Sequence, residues 1–246
     1  MRYLVLSDVH ANHVALAAVL AKVRRKRFDA VLHLGDAVGY GAEPNQAVER
    51  LRRMRRTIHH VRGNHDKVVT GIDGGGSFND VALAAARWTT RRMSRSNLGW
   101  VRELPRGPAT VAPGLAICHG SPLDEDRYVF SDYDAEQIFA LHDARVTFFG
   151  HTHVTSAFVD GPDGVEVLTL RGSGRMELLP DHRYLLNPGS IGQPRDRDPR
   201  ASFMTYDADR AVVRWYRVDY DVRAAQRKIR AAGLPEVLAE RLGVGA

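Results

Sequence analysis

The sequence predicts an α/β fold in which parallel strands are joined by crossover helices. In the first third of the chain, three short apolar segments alternate with two segments of helical apolar spacing. The predicted strands cover 3–7, 30–34 and 57–61, and the predicted helices cover 14–26 and 44–56. Alternation of this kind is typical of strands that run parallel in one sheet. Pro44 fits the first turn of the second helix, where a backbone donor is not needed.

After residue 61 the pattern changes to a group of strands with fewer helices. A Gly-rich segment over 71–77 predicts a loop, and 79–96 predicts one long helix. Further strands are predicted over 109–118, 145–149, 155–159, 165–171 and 183–186, with a hairpin over 201–207 and 211–218. A last helix is predicted over 221–232, because Gly233 suits a C-terminal stop. The chain shows no internal repeat or linker, so we expect a single domain over 1–246.

Composition narrows the class of protein. The hydrophobic content of 44% is ordinary for a globular protein with a sizeable core. A single cysteine, Cys118, excludes an intrachain disulfide and suits a reducing compartment. The first residues enter a strand without the basic and apolar regions of a signal peptide, and the apolar run 14–21 is too short to span a bilayer. We therefore expect a cytoplasmic protein with no membrane partner.

The positive charge of the chain bears on its partners. The formal net charge is +6, which favours anions such as phosphates and nucleic acid without choosing between them. Basic clusters over 22–27 and 50–56 each close a predicted helix, where cations interact favourably with the negative end of the helix dipole. We therefore interpret both clusters as solvated faces, and nucleic acid is an alternative partner that the sequence does not favour.

Five short polar segments carry the chemistry, and each follows a predicted strand. They are Asp8-Val9-His10, Gly35-Asp36, Gly63-Asn64-His65-Asp66, His119-Gly120 and Gly150-His151-Thr152-His153. Ligand sites of α/β sheets lie at the carboxyl ends of the strands, so we expect these side chains to converge on one rim. The one-residue spacing within Asp8/His10 and within His151/His153 points both side chains the same way if the segments are extended.

Seven of these side chains form a candidate set of metal ligands. They are Asp8, His10, Asp36, Asn64, His119, His151 and His153. Mixed oxygen and nitrogen donors suit Mn, Fe or Zn better than Ca or Mg. Seven ligands are too many for one tetrahedral zinc, but they fit two divalent or mixed-valence transition-metal ions that share Asp36.

In this hypothesis each ion has four ligands. Asp8, His10, Asp36 and His153 hold one ion, and Asp36, Asn64, His119 and His151 hold the other. Which of His151 and His153 binds which ion is left open. Two carboxylates and a bridging hydroxide leave such a centre with a small positive charge, which suits a phosphoryl anion. Two metals about 3.5–4 Å apart lower the pKa of a bridging water, and the resulting hydroxide is the predicted nucleophile.

Other side chains near the motifs are candidates for catalysis and substrate binding. His65 is predicted to protonate the leaving oxygen or to hold a phosphoryl oxygen, and Asp66 to orient the His65 ring and raise its pKa. The predicted substrate contacts are Asn12, Asn64, His65, Asn187 and Arg195, with Ser190 beside them. Asn12 has an alternative role as a helix N-cap, and Asn187 and Ser190 have the alternative of a plain turn.

As an ordered set, the segments DxH, GD, GNHD, GH and GHTH resemble the motifs of the calcineurin-like metallophosphoesterase family over residues 8–191. The resemblance implies two mixed β-sheets packed as a sandwich and flanked by helices, with a dinuclear metal site. Protein phosphatases of this superfamily usually have Asp-Arg-Gly after the second motif and GNHE at the third. Here Ala37 follows Asp36 and the third motif ends in Asp66, so the chain is more similar to the small bacterial phosphodiesterase-like branch. Members of that branch carry a loop similar to Asn187-Pro188-Gly189-Ser190.

We therefore expect a metal-dependent phosphodiesterase that hydrolyses a small phosphorylated substrate. One alternative is a phosphomonoesterase, a class that includes protein phosphatases and dinucleoside polyphosphate hydrolases. A nuclease is another, although such relatives usually carry added domains that grip nucleic acid. A non-catalytic interaction scaffold of the same fold is the third, and the complete ligand set argues against it. The sequence leaves the substrate, the native metal and the oligomeric state open.

Overall fold

The computed structural model describes residues 1–54 and 56–246, and in this part of the chain it has twelve strands and eight helices. In chain order they are β1 (Arg2–Leu6), α1 (His13–Val23), β2 (Ala30–His33), α2 (Pro44–Arg52), β3 (Thr57–His60), α3 (Asn64–Thr70), α4 (Asp80–Arg92), α5 (Arg95–Arg102), β4 (Ala109–Ala112), β5 (Leu115–Ile117), α6 (Asp132–Leu141), β6 (Val146–Phe148), β7 (Thr155–Gly161), β8 (Gly164–Thr169), β9 (Gly174–Glu177), β10 (Arg183–Pro188), β11 (Ala201–Asp207), β12 (Val212–Val218), α7 (Val222–Ala231) and α8 (Glu236–Val244). Within the described ranges, no helix is long and apolar enough to cross a bilayer.

The first sheet is built from both ends of the chain, in the order β3-β2-β1-β11-β12-β9. β1, β2 and β3 run parallel, which confirms the crossover arrangement predicted from the alternation of strands and helices. β11 joins β1 antiparallel, and β12 and β9 continue the sheet antiparallel. The predicted hairpin is also confirmed, because β11 and β12 pair from Ala201 opposite Val218 to Asp207 opposite Val212.

The second sheet has the order β4-β5-β6-β10-β7-β8. Its central strands β5, β6 and β10 are parallel, and β4, β7 and β8 pair antiparallel at the two sides. Both sheets are therefore mixed. Parallel strands of each sheet lie next to antiparallel ones, so each sheet combines crossover connections with hairpins.

Alternating side chains of β1 face two different cores. Tyr3 and Val5 pack between the sheets with Phe148 of the second sheet. Leu4 and Leu6 pack on the outer face, in a cluster that α1, α2 and α5 cover. On the far side, α6 covers the outer face of the second sheet. The layers run helix, sheet, sheet, helix, and this confirms the expected fold class of two mixed sheets packed as a sandwich and flanked by helices.

The parallel strands bring the polar segments to one rim. The segments at Asp8, Asp36 and Asn64 follow β1, β2 and β3 of the first sheet. The segments at His119 and His151 follow β5 and β6 of the second sheet. Because parallel strands of a sheet end at the same edge, each sheet delivers its segments to one side of the molecule.

Two predicted elements are wrong because a local signal interrupts them. The helix expected over 79–96 ends at Arg92, and α5 begins at Arg95. Ser94 between them accepts a hydrogen bond from Asn97 N, and this N-cap starts a new helix. The strand expected over 109–118 is a hairpin of β4 and β5, because Gly114 has a φ of +72° and turns the chain.

The predictions omitted α3, α6, β9 and α8. α3 has seven residues and begins inside the GNHD segment, where no apolar periodicity signals a helix. α6 did carry a signal, since Ser131 and Asp134 form a capping box at its start. α8 follows Pro235, directly after the predicted stop at Gly233. Short elements with few apolar positions depend on packing against the rest of the fold.

A buried histidine and a half-buried one lie in contact on the outer face of the first sheet, beside α5. His33 is fully buried, and neither ring nitrogen has a hydrogen-bond partner among the described residues. Its ring lies edge-on to His60 at 5.6 Å, and His60 lies edge-on to Trp100 at 5.2 Å. Burial, with the nearby His60, lowers the pKa of His33 to about 3. Burial also lowers the pKa of His60 to about 4.

The lowered pKa of His33 predicts a loss of stability in acid. The folded protein keeps the ring neutral, whereas the unfolded chain binds a proton as the pH falls below about 6.5, so acid favours unfolding until the pH reaches about 3. The loss at pH 5 is about 2 kcal/mol. We predict that His33→Leu reduces the pH dependence of the unfolding free energy by that amount, measured by urea denaturation at pH 7 and pH 5. An unchanged difference between the two pH values would contradict the neutral buried state.

Candidate metal centre

Four side chains from three loops converge at the rim. One donor atom from each of Asp8, His10, Asp36 and His153 lies within 4.8 Å of the others. His10 Nε2 is 3.0 Å from His153 Nε2, and His153 Nε2 is 3.2 Å from Asp8 Oδ1. All four side chains are almost fully buried. This group could hold a metal ion.

Backbone carbonyls determine which ring nitrogens face the group. His10 Nδ1 donates to Val38 O at 3.1 Å, and His153 Nδ1 donates to Gln193 O at 2.7 Å. In a neutral imidazole the other nitrogen, Nε2, then carries a lone pair. Two lone pairs would face each other across 3.0 Å, an arrangement that a cation between them stabilises.

The carboxylates give a second indication of a cation. Asp8 Oδ1 and Asp36 Oδ2 are buried and have no hydrogen-bond partner among the described residues. The other oxygen of each carboxylate is occupied: Asp8 Oδ2 accepts from Ser7 Oγ and from His151 N, and Asp36 Oδ1 accepts from His65 N at 2.9 Å. A buried carboxylate oxygen without a partner is costly, so the geometry fits metal ligands.

Asp36 also faces a second group of donors. Its Oδ2 is 3.5 Å from His119 Nε2, the same distance as from His10 Nε2. His119 Nδ1 donates to Leu34 O at 2.8 Å, so its Nε2 carries the lone pair in the neutral ring. The same Nε2 is 3.1 Å from Asn64 Oδ1. Asp36 thus lies between two sets of imidazoles.

His151 approaches the second group from outside. Its Nε2 donates to Asp126 O at 3.1 Å, which leaves Nδ1 with the lone pair in the neutral ring. The His151 ring lies 4.8 Å from the His119 ring, and it stacks on Tyr128 with centroids 3.8 Å apart. The structure therefore brings His151 to His119, and His153 to Asp8.

The loops hold these residues in an unusual backbone conformation. The φ angles are +52° at Asp8, +46° at His10, +52° at Asp36, +67° at His151 and +61° at His153. Such left-handed conformations cost non-glycine residues on the order of 1–3 kcal/mol each. The one-residue spacing had suggested extended segments, but the segments are turned at these residues. The paired side chains meet because the backbone turns at each of them.

Burial controls the charge of the site. Burial raises the pKa of Asp36 well above its ordinary value, and the nearby carboxylates of Asp66 and Asp8 raise it further. Burial opposes the ionisation of Asp8 too, but His153 and the other imidazoles outweigh burial and lower its pKa. Burial lowers the pKa of His10 well below its ordinary range. The lowered pKa keeps the His10 ring neutral, which is the form of imidazole that binds a metal ion.

His65 lies beside the cluster, but Asp66 does not orient it. The His65 ring is 4.9 Å from the His10 ring, and its Nδ1 has no hydrogen-bond partner in the described structure. Asp66 accepts from Gly63 N at 3.0 Å and from Val38 N at 3.3 Å, so it caps α3. Adjacent residues of a helix do not face each other, and the predicted orientation is wrong. Burial lowers the pKa of His65, so the predicted rise is also wrong.

Asn12 is a helix cap and not a free substrate contact. Its Oδ1 accepts from Ala15 N at 3.1 Å at the start of α1. Its Nδ2 donates to Gly192 O at 3.0 Å. Both ends of the amide are occupied by the backbone, so the predicted substrate contact is wrong and the alternative as an N-cap is confirmed.

Asn187 braces the GHTH loop from behind. It is fully buried, and its Nδ2 donates to Gly150 O at 2.7 Å and to Thr152 Oγ1 at 3.0 Å. Its Oδ1 accepts from Gly189 N at 2.8 Å. The predicted substrate contact of Asn187 is therefore wrong. Ser190 has a similar role, because its Oγ donates to Asp8 O at 2.8 Å.

Arg195 and two tyrosines border the cluster. Arg195 Nη2 donates to Tyr40 Oη and to Gln193 Oε1, each at 3.2 Å. The Tyr40 ring lies 4.6 Å from the His10 ring, as Tyr128 lies against His151. Sequence reasoning missed both tyrosines. Tyr40 carried a signal, since it lies between two glycines directly after the second motif.

Comparison with known proteins identifies the family. Residues 1–211 match the family model described as the calcineurin-like phosphoesterase superfamily domain. The chain belongs to this superfamily. The phosphoesterase is 36% identical over 245 residues to an uncharacterized protein of Methanocaldococcus jannaschii, a match that covers 98% of this chain and 97% of that protein.

Solved structures agree with this assignment. The phosphoesterase resembles the crystal structure of a metallophosphoesterase from Sphaerobacter thermophilus, with a TM-score of 0.86, 36% identity and coverage of 100% of this chain and 99% of that chain. A hypothetical protein from Pyrococcus horikoshii OT3 shares the fold at a TM-score of 0.81 and 19% identity, over 100% and 98% of the two chains. The protein is thus a metallophosphoesterase, an enzyme class that acts on phosphate esters and binds divalent metal ions.

Gly150 lies so close to Asp8 that a side chain at this position would disturb a proposed metal ligand of the phosphoesterase. A Cβ at Gly150 would overlap Ser7 Oγ and would lie 2.7 Å from Asp8 Oδ2. We predict that Gly150→Ala displaces Asp8 and lowers the Mn²⁺ retained after dialysis by about tenfold or more. Elemental analysis of the dialysed protein gives the metal content.

Gly76→Ala is the matched control for this substitution. A Cβ at Gly76 has no described atom within 4 Å, so this variant should retain as much metal as the unchanged protein. Circular dichroism would verify that both variants are folded. Equal metal content in Gly150→Ala and Gly76→Ala would show that the close approach to Asp8 does not matter for metal binding.

Proposed function

We propose that this enzyme is a phosphodiesterase that hydrolyses a small phosphate ester at a dinuclear metal centre. The position of Asp36 carries the proposal. Its Oδ2 is buried, lies 3.5 Å from both His10 Nε2 and His119 Nε2, and has no hydrogen-bond partner among the described residues. A carboxylate oxygen between two sets of nitrogen donors supports a bridging role between two ions.

In the proposed centre each ion has ligands from both sheets. Asp8, His10, Asp36 and His153 hold the first ion, and Asp36, Asn64, His119 and His151 hold the second. The nitrogens left with lone pairs are Nε2 of His10, His119 and His153, and Nδ1 of His151. These donors suit Mn, Fe or Zn. When bound, two such ions activate a water between them and polarise the phosphoryl oxygens of the ester.

His65 is the proposed proton donor. Its neutral ring can donate a hydrogen bond to a phosphate oxygen at the edge of the cluster. An anionic substrate beside the ring raises its pKa, so the ring takes up a proton from water, and the resulting imidazolium can pass this proton to the leaving oxygen. Arg195 supplies a fixed positive charge near His10 and His153, and its planar guanidinium matches the geometry of phosphate.

The limited positive charge of the cleft favours a diester over a monoester. A diester carries one negative charge on phosphate, whereas a monoester carries nearly two at neutral pH. Lys67 is near the cluster in sequence, but it pairs with Glu125 at 3.3 Å and with Asp126. The residue after Asp36 is Ala37, which is buried and offers no charge. Arg195 therefore matches the single charge of a diester.

Hydrolysis of two chromogenic esters tests the proposal. Chelator-treated protein with added Mn²⁺ should cleave bis-p-nitrophenyl phosphate with a higher kcat/KM than p-nitrophenyl phosphate. Asp36→Asn should lower this rate by at least about 100-fold, because it removes a charge that both ions share. Asp163→Asn, on an exposed turn, is the control and should change nothing.

Each other result of this experiment has a clear meaning. Cleavage of the monoester alone would replace the proposed activity with phosphomonoesterase activity. Equal rates for Asp36→Asn and the unchanged protein would contradict the shared carboxylate. No cleavage of either ester with Mn²⁺, Fe²⁺, Zn²⁺, Ni²⁺ or Co²⁺ would contradict the proposed activity as a whole.

His65→Asn separates catalysis from metal binding. We predict that this variant loses about 10²–10⁴-fold in kcat, the usual contribution of a general acid. Its metal content should stay within about twofold, because His65 is not among the proposed ligands. Turnover and elemental analysis on the same sample give both quantities. Parallel loss of metal and turnover would refute the role of His65 as proton donor.

A further inference from the structure

A cavity of about 200 Å³ opens beside the candidate metal centre. Asn64, His65 and His151 form the side nearest to the cluster. A phosphate held at the cluster therefore has its ester substituent next to this cavity. The mechanism proposed above does not use the outer part of the cavity, whose lining determines which substituent fits.

Aromatic rings line this cavity. Phe78 lies 4.5 Å from the His65 ring, and Tyr40 lies 4.3 Å from the same ring. The ring of Tyr128 stacks on the ring of His151, with an angle of 14° between the two planes. The three rings line the same cavity. A flat aromatic group has a π-face that matches such a lining, whereas a sugar or glycerol group has none.

Polar groups lie among the aromatic rings. Ser77, Asn79 and Asp126 also line the cavity. Asn79 Oδ1 accepts from Ala82 N at 2.9 Å, so the side-chain N–H groups remain as donors. The side chain of Asp126 is 49% exposed; its Oδ2 pairs with Lys67, and its Oδ1 remains as an acceptor. Donors and acceptors around aromatic faces match a nucleobase, which has both along its edge, better than a plain phenyl ring.

We propose that the substrate is a nucleoside phosphodiester whose base binds in this cavity, with Phe78 and Tyr128 as the residues that recognise it. The inference rests on the proposed phosphodiesterase function and names its substrate class. Stacking of a base on an aromatic side chain contributes about tenfold or more to binding. Phe78 is the better residue to test, because Tyr128 contacts the proposed ligand His151.

The test compares three diesters on the Mn²⁺-loaded enzyme. They are adenylyl-(3′→5′)-adenosine, bis-glycerol phosphate and diphenyl phosphate, and product formation is followed by chromatography. We expect Phe78→Leu to lower kcat/KM for the dinucleotide about tenfold while that for bis-glycerol phosphate stays within about twofold. Phe78→Trp keeps a flat ring and should preserve the preference for the dinucleotide.

Tyr133→Leu is the matched control. Tyr133 is an exposed aromatic residue that does not line the cavity. This variant should treat all three diesters as the unchanged enzyme does. Equal losses on dinucleotide and bis-glycerol phosphate in Phe78→Leu would mean that Phe78 only supports His65, and would overturn the inference. An equal loss of kcat/KM for diphenyl phosphate and for the dinucleotide in Phe78→Leu would show that Phe78 does not distinguish a base from a phenyl ring, and would overturn the inference.

A binding measurement separates this inference from the proposed activity. Calorimetry with the Mn²⁺-loaded protein compares adenosine 5′-monophosphate with glycerol 3-phosphate. If no diester is cleaved, the proposed activity fails. Tighter binding of the nucleotide, lost in Phe78→Leu, would still support the base site. Equal affinity for the two compounds would overturn the site whatever the activity.

Discussion

The burial of two carboxylates at one rim is the constraint on which this structure depends. Asp8 and Asp36 each have one oxygen paired with protein donors and one oxygen without a partner, in a place that water does not reach. A buried carboxylate oxygen without a partner costs free energy unless a cation binds to it. The imidazoles around the carboxylates are also arranged for a cation. Backbone carbonyls accept hydrogen bonds from Nδ1 of His10, His119 and His153, so Nε2 of each ring is left to bind a metal ion. The protein thus prepares both the charge and the geometry for metal ions.

The packing of the two sheets offsets the conformational free energy that the ligand loops cost. Left-handed backbone at five proposed ligands costs several kcal/mol in total, which a rigid scaffold must offset. Parallel strands in each sheet end at the rim, and the core between the sheets, which includes Tyr3 and Phe148, holds the two halves together. Behind the ligand loops, Asn187 binds the backbone of the GHTH loop and Ser190 binds the backbone of Asp8. These buried hydrogen bonds hold the loops in conformations that they would not keep alone.

Around this centre the cleft combines limited charge with aromatic surface. Lys67 is neutralised by Glu125 and Asp126, while Arg195 is held by Tyr40 and Gln193 close to the cluster. The aromatic rings pack against imidazoles, so one set of side chains both shapes the cavity and supports residues of the site. A change in one wall of the cavity therefore also changes the packing of an imidazole at the candidate metal centre.

The sequence by itself determined the fold class, the order of the polar segments and the residues that meet at the rim. The alternation of strands and helices follows from apolar periodicity, and the meeting of the polar segments follows from the shared edge of parallel strands. The sandwich of two mixed sheets was implied by the resemblance of the ordered motifs to a known family. The roles of Asn12, Asp66 and Asn187 were decided only by the tertiary structure, because their partners Gly192, Val38 and Gly150 are distant in the chain. The break between α4 and α5 and the turn at Gly114 depended on competing local signals that the apolar pattern did not reveal. A polar side chain near a motif can cap a backbone or contact a ligand, and only the distances in the folded protein distinguish the two.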